Sequence, residues 1–440
     1  MANAVLLDVY VQNRLVGTLG PAENGAQVFN YLPSANPADF VSLTMPVRFD
    51  GYVWSRGLHP FFQMNLPEGY KKDILRNKLG PHAAVDDVGL LALTGNQTIG
   101  RVRIVPHKQA LQAEHSKLKL AELLASPNSR DHLLRYLEEG VAEGVSGVMP
   151  KSLQFQNKAT ATAEEYILKT GLSSLPGLAI NEYLCLEVAR RANLIVPEAA
   201  LSEDGDVLAV KRFDRLSDGS VLGVEDFCAL KGFDPVNKYQ GTLEDLAKLL
   251  VAYVPGQQFA ESAKRLFKLL LLNYGLRNAD AHLKNYAVTY TSFSDVALAP
   301  VYDIVTVTAY PVYQDGIPGL SLGGRRVWQI GKLLHQFGAT RLALPAYEMA
   351  ACLTEVSTAI NEMVPILGQY ALSYPDFRET AKRMLAQWEL GVQDIQPQLN
   401  QKANPRPKFM AIAGLSDEAQ VAKKVNPYKN PDGGFSHKAR

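Results

Sequence analysis

The sequence has few cysteines and lacks the spacing that disulfide frameworks or zinc sites use. Cys185, Cys228 and Cys352 are far apart and form no C-x-x-C pair. No apolar run approaches the roughly 18 residues that a membrane-spanning helix needs. The first residues, "MANAVLLDVYVQNRL", have no basic start, and Asp8 interrupts their apolar run, which argues against a secretory signal. We therefore expect a soluble, cytoplasmic protein.

The chain also lacks a strong charge of either sign. Its 45 Lys and Arg residues nearly balance 44 Asp and Glu, which leaves a formal net charge of +1. Overall charge therefore indicates neither nucleic-acid nor membrane binding. At 440 residues the chain is too long for one small core, and we expect two or three domains.

The first hundred residues are predicted to be rich in β-strands. "VLLDVYV" and "RLVGTL" flank Gln12-Asn13, which predicts a hairpin. Three further segments have strand character, and one has the character of a short helix ending at a glycine. The strand candidates are "AQVFNYL", "VSLTMPV" and "IGRVRIV", and the helix candidate is "GYKKDILRNKLG".

Later segments first alternate strands and helices and then become mostly helical. "YILKT" and "VLAVKRFDR" are predicted strands, and "AINEYLCLEVARRANL" is an amphipathic helix between them. We predict an α+β fold with a strand-rich lobe, a helical lobe and a cleft between them. The predicted segments are a β-rich subdomain at 1–108, a helical connector at 109–140, a strand-rich lobe at 141–235, a helical lobe at 236–400 and a basic, flexible tail at 401–440.

One polar stretch, "RNADAHLKNYAV", follows the most apolar helix of the chain. Asp280 and Asn285 have the D-x-x-x-x-N spacing of a kinase catalytic loop, in which the Asp meets the substrate hydroxyl and the Asn holds Mg²⁺. Asp303 follows in "VYDIV", where a kinase places its second metal ligand. Asp280 and Asn285 would equally serve as helix and turn caps, so the spacing alone leaves both interpretations open.

A phosphate-binding side is predicted upstream of this loop. Lys169 lies in the buried strand "YILKT", where a charge is costly unless it is paired, and Glu182 on the next helix is a candidate partner. In "EGVSGVMPKS", Gly144 and Gly147 would let backbone N–H groups approach a phosphate, and Lys151 adds charge. This loop is not a Walker A sequence, because Pro150 replaces the glycine before the lysine.

The combination and order of these motifs resemble the HipA family of bacterial serine/threonine kinase toxins. The motifs that carry the resemblance are "VSLTMPV", "FFQMNLPEGYKKDIL", "GVSGVMPKS", "YILKT", "NEYLCLEVAR", "VLAVKRFDR", "EDFCAL", "NADAHLKN" and "VYDIV". The resemblance covers nearly the whole chain and implies a two-lobed kinase-like fold with an extra β-rich N-terminal subdomain.

The resemblance also implies roles for individual residues. Asp280 would be the catalytic base, and Asn285 and Asp303 would hold Mg²⁺. The implied ATP site consists of Ser146, Gly147, Val148, Met149, Pro150 and Lys151 as the nucleotide loop, Lys169, His282 and Lys284 at the phosphates, Lys211, Arg212 and Phe213 as the hinge, Asp214 near the ribose, and Asn285, Tyr302 and Asp303 beside the metal.

The family resemblance further implies a biological setting. The protein would phosphorylate a translation component such as glutamyl-tRNA synthetase and so arrest growth. A small HipB-like helix-turn-helix antitoxin would neutralise it and bring the complex to DNA. The family autophosphorylates a serine two residues before the position of Ser146, but Gly144 stands there in this chain. Ser146 is then the remaining candidate for autophosphorylation.

Two functions of other classes are compatible with the sequence. A metal-dependent hydrolase or nuclease would use Asp280, His282 and Asp303, although such enzymes usually show more His and carboxylate ligands. A non-catalytic corepressor would act only by binding an antitoxin and DNA. The remaining acidic pair of "EDFC", Glu225 and Asp226, would either shape a loop or contact substrate.

Overall fold

The structure is a computed structural model that describes residues 5–22, 25–55, 57–67, 86–111, 118–142, 158–163, 165–171, 174–328 and 330–399. Three predicted features lie outside these residues: the helix in "GYKKDILRNKLG", the nucleotide loop from Ser146 to Lys151, and the basic tail after residue 400.

The chain begins with an antiparallel five-stranded sheet in the order β4-β3-β2-β1-β5. Gln12 and Asn13 form the β1–β2 turn with φ angles of 49° and 67°, so the predicted hairpin is confirmed. The alternation of apolar side chains buries one face of the sheet against two helices. The elements are β1 Leu7–Val11, β2 Arg14–Pro21, β3 Gln27–Tyr31, β4 Tyr52–Trp54, β5 Val102–Pro106, α1 Pro60–Gln63 and α2 Asp87–Thr94.

The prediction of a strand in "VSLTMPV" is wrong. The segment makes only an isolated bridge between Ser42 and Met45. The backbone N–H of Leu43 donates to the Glu225 carboxylate at 2.7 Å, so a side chain from the second half of the molecule takes the place of a neighbouring strand.

The predicted helical connector consists of two helices, α3 (Leu120–Leu124) and α4 (Ser129–Ala142). Pro127 lies between them and explains the break, because proline disfavours helical geometry in the preceding residue. The next sheet along the chain is antiparallel and has the strand order β6-β7-β9-β8. Its strands are β6 Lys158–Ala163, β7 Tyr166–Gly171, β8 Ala199–Leu201 and β9 Val207–Lys211.

Helix α5 (Leu178–Arg191) packs against this sheet, and Ile180, Leu184 and Val188 are buried as the amphipathic pattern predicts. A third sheet, β10-β11-β12, leads into the helical lobe. The remaining elements are β10 Gly223–Asp226, α6 Phe227–Leu230, α7 Leu243–Tyr253, α8 Gly256–Gly275, β11 Ala287–Ser292, β12 Asp295–Leu298, α9 Lys332–Arg341, α10 Ala346–Ser373 and α11 Arg378–Leu399.

The long helices α8, α10 and α11 pack together around one large apolar core, in which Trp388 is fully buried. A strand-rich part of the chain is therefore followed by a mostly helical part. The predicted α+β, two-lobed architecture is confirmed. Within the described ranges, no helix has the length and apolar character required to traverse a membrane.

Candidate active site

A buried lysine and two carboxylates meet between the central strand-rich lobe and the segment after β12. The Lys169 Nζ atom donates to Glu182 Oε1 of α5 and to Asp303 Oδ1, the latter at 2.6 Å. Lys169 is 5% exposed and Glu182 is 1% exposed, so water contributes little to stabilising these charges. Removal of one partner would leave buried charge uncompensated, which is strongly unfavourable. The predicted Lys169–Glu182 pair is confirmed.

Asp303 has an unusual backbone for a residue other than glycine. Its φ is +59°, in the left-handed region that L-amino acids with a Cβ avoid. Such conformations persist where the surroundings hold them, and they concentrate at functional sites.

The segment after Asp303 is held by a side chain of α5. The Asn181 amide accepts a hydrogen bond from the Thr306 backbone N–H at 2.9 Å and donates to the Thr306 carbonyl at 3.1 Å. The Trp388 indole N–H donates to the Thr306 hydroxyl at 2.7 Å. Asn181 thus fixes the backbone three residues beyond Asp303, while Glu182, its neighbour on the helix, meets the ion cluster.

Asp280 lies in a tight loop after α8. The loop begins with Arg277 at φ +54°, and the Asn278 side chain accepts a hydrogen bond from the Asp280 backbone N–H at 3.2 Å. The Asn285 amide donates to the Asp280 carbonyl at 2.9 Å and closes the loop. The polar residues therefore determine the loop's shape as well as line the candidate site.

Two ring side chains surround the Asp280 carboxylate. The Tyr239 hydroxyl donates to Asp280 Oδ1, and His282 Nε2 is 4.0 Å from the same oxygen. The Tyr239 and His282 rings meet edge to face with centroids 5.0 Å apart. Asp280 is 1% exposed and His282 is fully buried, so packing restricts the orientation of both side chains.

Tyr302 joins the two halves of the site. Its hydroxyl donates to the carbonyl of Lys284 at 2.8 Å, so the residue before Asp303 is bonded to the residue before Asn285. The Tyr302 ring stacks on Phe213 with centroids 5.8 Å apart, so the predicted hinge contacts the residue that precedes Asp303. Burial and the nearby carboxylates of Asp226 and Asp303 raise the pKa of Tyr302 well above its ordinary value.

The donor chemistry of Asn285 and Asp303 fits a magnesium ion. Amide and carboxylate oxygens are the hard ligands that Mg²⁺ prefers, and Mg²⁺ usually keeps several waters beside one or two protein ligands. The bond from the Asn285 amide nitrogen to Asp280 leaves the amide oxygen as the group suited to coordination. Among the described residues, this site included, no group of three or more His, Cys, Asp or Glu side chains is arranged to hold a metal.

The remaining predicted hinge residues have other contacts. Arg212 makes two hydrogen bonds to Asp214, at 3.0 and 2.6 Å, and the Gly100 backbone N–H donates to Asp214 at 2.8 Å. Burial opposes ionisation of Asp214, but these partners prevail and lower its pKa. Lys211 lies near the surface beside Glu198. The Arg212–Asp214 pair thus ties the lobe to the N-terminal subdomain, and its nucleotide role stays a prediction.

The acidic pair of "EDFC" shapes the structure around β10. The Asp226 side chain accepts a hydrogen bond from the Ala229 N–H at 2.8 Å and caps α6. Glu225 is fully buried and bonds to the N-terminal subdomain.

Sequence inspection missed Tyr239 and Asn181, since neither belongs to a local motif that includes its partner.

The fold and site together define a class of protein. A strand-rich lobe carries a buried Lys169–Glu182 pair, and a helical lobe presents Asp280 and Asn285, which is the organisation of two-lobed, kinase-like proteins. The chain belongs to the HipA family. Residues 7–105 match the HipA N-terminal domain, and residues 144–364 match the HipA-like C-terminal domain.

The chain is also similar to individual proteins and to a solved structure. "Putative kinase Y4dM" of Sinorhizobium fredii is 26% identical over 70% of this chain and 79% of its own length. "Putative kinase Y4mE" of the same organism is 27% identical over 70% of this chain and 78% of its own length. A chain in the Shewanella oneidensis MR-1 complex of HipA, HipB and operator DNA has the same fold, with a TM-score of 0.66 and 18% identity over 90% of this chain and 99% of that one.

Proposed function

We propose that the chain is an ATP- and Mg²⁺-dependent protein kinase that phosphorylates serine or threonine hydroxyls. The observation that carries the proposal is the buried Lys169–Glu182–Asp303 cluster, connected through Tyr302 to the loop of Asp280 and Asn285. The relatives named as kinases support the same activity. The loop from Ser146 to Lys151 would complete the nucleotide site.

Each side chain has a definite task in this proposal. The Asp280 carboxylate accepts the proton of the substrate hydroxyl, and Tyr239 keeps one of its oxygens in place. Lys169 supplies positive charge, and Glu182 orients it. When bound, ATP with Mg²⁺ supplies the phosphoryl group, and Asn285 and Asp303 would hold the metal. Burial strengthens these electrostatic interactions, because little water screens them.

The same proposal extends to the biological setting. The chain would act as the toxin of a toxin–antitoxin pair and modify a translation component of the glutamyl-tRNA synthetase kind. A HipB-like antitoxin would neutralise it and bind the operator DNA. Support comes from the family match. It also comes from the Shewanella oneidensis chain that has the same fold, because the complex of that chain contains HipB and operator DNA.

Transfer of labelled γ-phosphate to protein tests the activity. We expect the parent chain and Asp376→Asn, a change at an exposed carboxylate, to label protein equally. Asp280→Ala and Asp303→Asn should each lower labelling at least a hundredfold, because each removes a group required for proton acceptance or metal binding. Equal labelling by all four proteins would exclude these roles. Phosphopeptide mapping after induced expression would identify the substrate and show whether Ser146 is modified.

A further inference from the structure

A buried amide near the end of α8 is bonded to both ends of the loop that carries Asp280 and Asn285. This amide belongs to Asn273, which is 5% exposed. Its Oδ1 atom accepts a hydrogen bond from Asn278 Nδ2 at 2.9 Å, and its Nδ2 atom donates to the Tyr286 hydroxyl at 3.0 Å. Asn278 precedes Asp280 by two positions, and Tyr286 directly follows Asn285.

The backbone at the end of α8 fixes the first end of the loop. Arg277 has a left-handed φ of +54°, and its N–H donates to the Tyr274 carbonyl at 3.2 Å. The Asn278 N–H donates to the Asn273 carbonyl at 2.9 Å. This pair of bonds is the Schellman arrangement, which ends many helices. Asn278 is therefore held to Asn273 by both its backbone and its side chain, and its Oδ1 atom accepts the Asp280 N–H at 3.2 Å.

Tyr286 fixes the second end of the loop. It is 2% exposed, and its carbonyl accepts a hydrogen bond from the Phe227 N–H at 2.9 Å. Its main chain is thus bonded to the start of α6, and its hydroxyl is bonded to α8 through Asn273. Because Asn285 is the preceding residue, these bonds restrict where the Asn285 amide can lie.

The cavity beside these three side chains is too small for an organic ligand. Its volume is about 10 Å³, and Asn273, Asn278 and Tyr286 are among its lining residues. A cavity of this size has room for about one water molecule. The three polar groups therefore serve to hold one another in place, and leaving a buried one without its partner would be unfavourable.

We propose that Asn273 is a positioning residue that sets the distance between the Asp280 carboxylate and the Asn285 amide. The inference rests on the proposed kinase activity, in which these two groups are the proton acceptor and a metal ligand. Misplacement of reacting groups by about 1 Å can lower a rate on the order of a hundredfold. Loss of the Asn273 amide should therefore affect turnover and the use of Mg²⁺ together, since it releases both ends of the loop.

Transfer of labelled γ-phosphate to casein, with ATP and Mg²⁺ varied in turn, tests this role in the full chain. Asn273→Leu has a similar size but makes neither bond. It should lower kcat at least tenfold and raise the Mg²⁺ concentration for half-maximal rate at least threefold. Asn273→Asp offers two oxygens, which can accept from the Asn278 amide and the Tyr286 hydroxyl, so it should recover at least a third of the parent kcat.

Tyr286→Phe removes one of the two bonds and keeps the ring, so it provides a milder variant should Asn273→Leu not fold. It should lower kcat about threefold in the parent and cause no further loss in Asn273→Leu, because the two side chains act through the same bond. The matched control is Tyr31→Phe, which removes a buried hydroxyl bonded to the Met45 carbonyl at 2.6 Å in the N-terminal subdomain. It should lower the Tm and leave kcat unchanged when rates are measured well below that Tm.

The possible outcomes separate this role from the proposed activity. No transfer by the parent would overturn the kinase activity and this role with it. If the parent is active, the role alone is overturned by any of three results: Asn273→Leu or Tyr286→Phe turns over as the parent does, Asn273→Asp is as slow as Asn273→Leu, or Tyr31→Phe lowers kcat as much as Tyr286→Phe.

Discussion

At the scale of single residues, Tyr239 directly restrains the Asp280 carboxylate. Its hydroxyl donates to the carboxylate that would accept the substrate proton, and the tyrosine itself is buried. Hydrogen bonds to charged groups are worth about 1.5–3 kcal/mol, so loss of this one would allow the carboxylate to turn away from the substrate.

Tyr239→Phe should therefore lower kcat about tenfold, which corresponds to about 1.4 kcal/mol, and leave KM for ATP nearly unchanged. The ring remains, so packing against His282 and the thermal stability should change little. Steady-state kinetics with varied ATP would measure both parameters, and Tyr347→Phe at an exposed position is the matched control. An equal loss in both variants, or a purely KM effect, would contradict a positioning role.

Residues of the candidate site could be predicted when their spacing along the chain carries the chemistry. Asp280, Asn285 and Asp303 were found in this way, and Lys169 was found because charge in a buried strand needs a partner. Tyr239 could not be found, because 41 positions separate it from Asp280 and no local pattern joins them. The left-handed backbone of Asp303 was equally hidden, since this conformation is uncommon in residues other than glycine, even though aspartate is enriched among those that adopt it.

At the scale of elements, α8 and α11 approach each other where both have a glycine. A Cβ atom at Gly391 would lie 1.9 Å from the carbonyl oxygen of Gly275, a distance that the backbone cannot accommodate without moving. Helix α8 leads directly into the loop of Asp280, so the close packing also determines where that loop begins.

Gly391→Ala should destabilise the protein by about 1–3 kcal/mol, the usual cost of overpacking, despite the better helix propensity of alanine. Gly256→Ala is the matched control, because a Cβ at the first residue of α8 would meet nothing within 4 Å. Urea unfolding of both variants measures the difference. Equal stability of Gly391→Ala and Gly256→Ala would show that the helices can separate without cost.

Local pattern predicted many elements correctly, and the failures have a physical reason. The β1–β2 hairpin and the long helices follow from alternation, turn residues and helical periodicity. "VSLTMPV" has strand composition, but Tyr31 and Glu225 satisfy its backbone, and Glu225 lies 182 positions from Leu43. No sequence window could include that partner, so composition alone gave the wrong element.

At the scale of the whole molecule, Glu225 is a buried connection between the N-terminal subdomain and the β10–β11 sheet. Its carboxyl accepts hydrogen bonds from the Ser42 hydroxyl, the Leu43 N–H and the Tyr290 hydroxyl, each at 2.7 Å. Complete burial raises the pKa of Glu225 to about 7 from an ordinary value near 4.5, although these hydrogen bonds partly oppose the rise. The folded protein therefore binds this proton more tightly than the unfolded chain does.

This difference predicts the direction of a pH effect on the free energy of unfolding. The stabilising contribution is complete below the unfolded pKa near 4.5 and is lost as pH rises through about 7. Between pH 5.5 and pH 8 the parent should lose about 2 kcal/mol more stability than Glu225→Gln, because one pKa unit corresponds to about 1.4 kcal/mol. Glutamine keeps the size and an acceptor oxygen but has no proton to lose.

Urea unfolding at several pH values, done in parallel on the parent and Glu225→Gln, isolates this contribution because the other titrating groups cancel in the difference. Among them is His59, whose burial lowers its pKa to about 4 and so acts in the opposite direction. Glu122→Gln, at an exposed carboxylate, should follow the parent at every pH. If Glu225→Gln also follows the parent, the free energy of unfolding does not depend on the protonation of Glu225 in this pH range.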